Sequence, residues 1–184
     1  MSHARIPKSA LIVLFLVVAS AAPALAEASL DIRPSACPNL LNVRRPGYLP
    51  MALVSDRDFV ASRVGVDPGS LELSRGDGMG GFARPLTSRG AISLSDVAAP
   101  AVGGMCSTFG ADGLRDLKVL FGQSDVAKRL HLRNLPAYSS VELCLSGEIA
   151  DGSSFNVCDD VLLINFRLFA TEPDDDDNIG ELPM

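Results

Sequence analysis

The chain has 184 residues, with 16 Lys and Arg against 22 Asp and Glu, a net charge of −6, and only 5% aromatic residues with no Trp. An acidic balance without a basic stripe argues against nucleic acid as a partner, and the shortage of rings argues against a carbohydrate platform built on stacking. The length suits one domain with a single core.

The first 26 residues read as a cleavable secretory signal: Arg5 and Lys8, an apolar run from Ala10 to Ala19, then Ala24-Leu25-Ala26 with cleavage expected before Glu27. No later stretch is apolar and long enough to span a bilayer, so no membrane span is expected after cleavage. Ser29 to Ile32 reads as a short strand stopped by Pro34, and an extended, turn-rich stretch runs from Cys37 to Gly47. Tyr48 to Val54 resumes as a strand, in which Pro50 predicts an edge position or a bulge. Asp67 to Ser70 is a turn leading into the strand pattern Leu71-Glu72-Leu73. The Gly-rich segment from Gly76 to Gly90 reads as a surface loop. Ile92 and Leu94 mark another short strand, followed by a second loop, Ala98 to Gly113, that holds Cys106.

Asp116 to Phe121 is the clearest buried strand. Ser124 to Leu130 predicts one or two helical turns, with Ser124 as cap and Val126 and Leu130 on one face. Val141 to Gly147 and Ser154 to Val161 then form a hairpin around Ala150-Asp151-Gly152-Ser153, and Val161 to Phe169 extends its second strand or adds a final one. From Glu172 onward a run of four Asp without apolar periodicity predicts a disordered acidic tail, residues 172–184. Short strands joined by Gly, Pro and Asp turns give an all-β, antiparallel β-sandwich over residues 27–171, a single domain with at most one short helix.

The four cysteines, Cys37, Cys106, Cys144 and Cys158, lie beyond the signal, and an even count in an exported chain favours disulfides. The hairpin register sets Cys144 opposite Cys158, leaving Cys37 to pair with Cys106. A four-cysteine zinc site is disfavoured because no Cys-x-x-Cys spacing occurs. His131 is the one histidine beyond the signal and has no acid–nucleophile grouping beside it in sequence. The cluster Gly76 to Gly81 lacks the Lys-Ser/Thr of a phosphate loop. Asp159 and Asp160 are strand neighbours pointing to opposite faces, so they do not converge on one substrate.

Several segments in order carry a resemblance: Leu30-Asp31-Ile32-Arg33-Pro34, Cys37-Pro38-Asn39 with Asn42, Gly47-x-Leu49-Pro50-Met51-Ala52-Leu53, Asp58-Phe59, and Val66-Asp67-Pro68-x-Ser70-Leu71. Later come Ser95-Asp96-Val97, Asp112-Gly113-x-x-Asp116-Leu117-x-Val119-x-Phe121, Leu145-x-Gly147 and Asp151-Gly152. Together they resemble an uncharacterised family of exported bacterial and archaeal β-sandwich domains, over nearly the whole processed chain to about Ile164. The resemblance implies fold and export rather than an activity. Typical members also carry an aspartate-rich loop before the central strand that is similar to a calcium loop. Here that loop is reduced to Asp96, Asp112 and Asp116, which favours a hydrogen-bonded turn over a calcium site.

These readings give a secreted or periplasmic, non-enzymatic structural or interaction module, with no cofactor and an unknown protein or cell-surface partner. The alternatives are a calcium-stabilised domain of adhesive type, with Asp96, Asp112 and Asp116 as ligands, and a hydrolase whose site is assembled from distant residues.

Overall fold

The computed structural model describes residues 28–56, 59–61, 65–101 and 106–166. The signal, Asp58 and the acidic tail lie outside the described residues. Among the described residues there are eight strands: β1 (Ser29–Ile32), β2 (Leu40–Asn42), β3 (Tyr48–Val54), β4 (Glu72–Arg75), β5 (Ile92–Ser95), β6 (Asp116–Gly122), β7 (Ser140–Glu148) and β8 (Ser154–Ile164). A helix, α1 (Gln123–Arg129), follows β6 directly.

The strands form two sheets of four, ordered β1-β3-β6-β5 and β2-β8-β7-β4. The first is antiparallel throughout; in the second, β2 runs parallel to β8 and the other pairs are antiparallel. This is the all-β, single-domain sandwich that strand spacing predicts. Alternation buries one face of each sheet against the other. Ile32, Leu49, Met51, Val119 and Phe121 of the first sheet meet Leu41, Leu73, Leu143, Leu145 and Leu163 of the second in one apolar core. Val126, Ala127, Leu130 and Leu132, in and just after α1, close one end of it. At about 1.5–3 kcal/mol for each buried Leu, Ile or Phe, this core is the main favourable term in folding.

Local chemistry accounts for the best-defined hairpin. Gly152 takes φ +84° in the turn between β7 and β8, a conformation that favours glycine. A Cβ at Gly147 would lie 2.9 Å from the ring of Phe155, its cross-strand partner, so the glycine makes room for that ring.

Three expectations are corrected. Pro50 lies in a central strand, since β3 sits between β1 and β6. Pro50 is tolerated there because β1 ends opposite Met51: Arg33 N still donates to the Pro50 carbonyl, but the Arg33 carbonyl turns away to accept from Ala36 N. No strand residue therefore asks Pro50 for the N–H it lacks. Ser124 is not the helix cap; Gly122 holds that position without a side-chain bond, because the chain passes from β6 into α1 without a loop. The stretch from Cys37 to Gly47 contains a strand, β2, whose pairing with the far end of the chain leaves no local pattern.

Candidate functional site

Asp116 opens β6 and is fully buried. Its Oδ1 accepts from Ser55 N at 3.0 Å, and its Oδ2 accepts from Val97 N at 2.9 Å and Ala98 N at 3.0 Å. Asp96 accepts from Asp112 N and Gly113 N, each at 2.9 Å, and Asp112 accepts from Leu114 N at 2.9 Å. Each carboxylate thus organises backbone around the start of the strand. Among the described residues, the one group of three His, Cys, Asp or Glu side chains with ligand atoms within 4.8 Å of one another is Glu142, Cys144 and Cys158. Its cysteines are joined to each other, and Asp96, Asp112 and Asp116 do not form such a group.

Cys144 stands opposite Cys158 across β7 and β8, and the two form a disulfide; Cys37 forms the other with Cys106. The second bond ties the loop after β5 down beside β1, on the outer face of the first sheet. That face carries a small apolar patch, Ala52, Val54 and Ala98, and next to it a cavity of about 170 Å³ lined by Ser29, Asp31, Val54, Ala99, Ser107 and Asp159, with Cys106 and Cys158 at its wall.

The two carboxylates of this cavity are placed very differently. Asp159 Oδ2 accepts from Ile32 N and Asn39 Nδ2, both at 2.8 Å, and its Oδ1 accepts from Asp160 N at 2.8 Å. Asp31 is 6% exposed, and neither of its oxygens has a hydrogen-bond partner. Burial, then the charges of Asp159 and Asp116, push the Asp31 carboxyl up to about 7. Burial also raises Asp159, opposed chiefly by the N–H of Ile32.

A second region lies at the end of the sandwich where β2 meets β8. Here a groove of about 570 Å³ is lined by Arg33, Leu40, Asn42, Arg45, Tyr48 and Gln123, among others. Gln123, buried at the start of α1, pins the turn after β2 by donating from Nε2 to the carbonyls of Asn42 (2.8 Å) and Arg45 (3.1 Å). Arg33 donates to the Leu40 carbonyl, Arg44 to Asn165 Oδ1 and Arg133 to the Val43 carbonyl. All three partners are neutral. The ion pairs among the described residues are Arg75–Asp77, Arg84–Glu72 and Arg129–Asp125, so Arg33, Arg44, Arg45 and Arg133 each lack a carboxylate partner there. Tyr48 stands 68% exposed and lines the groove with Arg33 and Arg45. The groove volume falls in the range of about 300–1,000 Å³ typical of binding clefts.

Neither region follows from local sequence pattern. The available signals were the aspartate between Leu30 and Ile32 in an apolar strand and the pair Arg44-Arg45 before Pro46, and neither names its spatial partners. His131 is exposed, in a left-handed turn after α1, and its side chain makes no capping bond. No helix among the described residues is long and apolar enough to cross a membrane. No protein-family model matches the chain, and no curated protein or solved structure matches it significantly.

Proposed function

We propose that this protein is an exported, non-enzymatic interaction module that holds an acidic segment of a partner protein in the arginine-rimmed groove beside β2. The observation that carries this reading is the set of arginines, Arg33, Arg44, Arg45 and Arg133, that lack a carboxylate partner among the described residues at one end of a net acidic chain. Guanidinium groups beside an exposed tyrosine are the residue types enriched where protein surfaces meet. Their planar donors match carboxylates.

Two disulfides fit an oxidising compartment, and the signal-like N-terminus and the family resemblance support export. An edge-strand mode of binding is disfavoured, because the Leu40 and Asn42 carbonyls of β2 already accept from Arg33 and Gln123. Catalysis is disfavoured by the exposed, isolated position of His131.

A fluorescent hexaglutamate peptide tests the reading by anisotropy on the oxidised protein. Binding should weaken as salt rises and drop roughly tenfold in Arg45→Glu, a loss of about 1.4 kcal/mol. Equal affinity of the variant and the wild type would sink the proposal.

A further inference from the structure

The cavity between β1 and the loop tied down by Cys106 presents an electrostatic problem that the protein's own groups leave unsolved. Both Asp31 oxygens are buried and unpartnered, as is Asn39 Oδ1 close by. Asn39 is located by its Nδ2, which donates to Asp159 Oδ2 and to the Asp160 carbonyl. The amide cannot be reversed to relieve its oxygen, because that oxygen would then face two acceptors. Every orphaned atom in this neighbourhood is therefore an acceptor, and the one orphaned donor among the described residues, Arg75 Nε, belongs to β4 on the other sheet. Leaving a carboxylate ionised and uncompensated in such a place costs several kcal/mol.

We propose that this cavity is a calcium site, with Asp31 as the principal ligand and Asp159 and Ser107 contributing further oxygens. Three features support that identity. The donor atoms are hard oxygens, the class that calcium takes, and the sulfurs at the wall are locked in disulfides and unavailable as thiolates. A space of about 170 Å³ has room for an ion and a few waters to complete its shell, but is smaller than the roughly 300 Å³ at which clefts for organic ligands begin. Ser107, itself buried, accepts from Phe109 N through its hydroxyl oxygen, which fixes that oxygen and leaves it a second lone pair. The ligands come from β1, from β8 and from the loop after β5, so the ion would join both sheets to the segment held by the Cys37–Cys106 bond. This set is separate from Asp96, Asp112 and Asp116, none of which has a buried oxygen without a partner; here Asp31 supplies two such oxygens, and Asp159, though it accepts from Ile32 N, Asn39 Nδ2 and Asp160 N, keeps a lone pair on Oδ1.

The test is thermal unfolding of the oxidised protein, first stripped with chelator and then titrated with calcium chloride. The melting temperature should rise by roughly 5–10 °C at a hundredfold excess over the dissociation constant, with equilibrium dialysis giving one tight ion per chain. Asp31→Asn should abolish that rise while leaving the chelated protein at least as stable as the wild type, because the amide carries no charge to desolvate. A merely structural role for Asp31 would instead lower the chelated baseline. Asp96→Asn and Asp112→Asn should keep the calcium response. The proposal is overturned if calcium leaves the melting temperature unchanged, or if the response survives Asp31→Asn and disappears in the loop variants.

Discussion

Asp31 and Asp116 are both buried aspartates on the outer face of the first sheet, one strand to either side of β3, yet their surroundings are opposite. Asp116 receives three backbone N–H groups; Asp31 receives none. Burial alone therefore does not mark a functional carboxylate. What separates the two is the supply of donors: an acid surrounded by N–H groups is part of the scaffold, and one surrounded by acceptors calls for something from outside.

The largest perturbation of this contrast is removal of the bond that roofs only one of the two sites. Replacing Cys37 and Cys106 together by Ser should cost about 4 kcal/mol in urea unfolding, as the bond spans 69 residues. Hydrogen exchange should then speed up around Asp31 while Val97 and Ala98 stay protected by Asp116. Equal loss of protection at both ends would show that the loop behaves as one piece.

Next in size, Asp116→Ala strands the three N–H groups and should cost roughly 3 kcal/mol, again by urea unfolding. A loss below about 1 kcal/mol would mean that those donors find water, and the distinction from Asp31 would blur.

The effect that is smallest per step is a pH slope in the chelated protein, at most about 1.4 kcal/mol for each pH unit. The Asp31 carboxyl is about 7 when folded against 3.8 for its ordinary value, so the folded state holds this proton more tightly than the unfolded one. Its favourable contribution is complete below about pH 4 and is lost as the pH rises toward 7, beyond which it changes no further. In Asp31→Asn that fall, followed by melting temperature across the same range, should flatten. An identical slope in the variant would assign it to Asp159 instead.

Much of the scaffold was legible where the signal was local. Short apolar runs placed β3 at Tyr48–Val54 and β6 from Asp116, and a turn with Gly152 set the hairpin register that brings Cys144 to Cys158. The features without a local signal depend on pairing between distant segments. β2 has three residues and is a strand only because β8 lies beside it. Pro50 signalled an edge, but its missing donor was rendered harmless by the turn at Arg33. The same holds for both candidate sites. In sequence Asp159 reads as the neighbour of Asp160, whereas in the fold it meets β1 through Ile32, which lies 127 positions away. Arg33 and Arg45, which line the groove, come from the turns after β1 and after β2, while Arg133, which bonds the Val43 carbonyl nearby, comes from the segment after α1.

The place of β8 in the second sheet also sets the order in which the domain can be completed. It is the last of the described strands, yet it lies inside the sheet, between β2 and β7. Until it is synthesised, β2 has no strand partner and β7 keeps one bare edge, and pairing over such sequence distances is slow. A nascent chain that has not yet reached β8 thus cannot assemble the second sheet, so closure of the sandwich waits until that strand has been made.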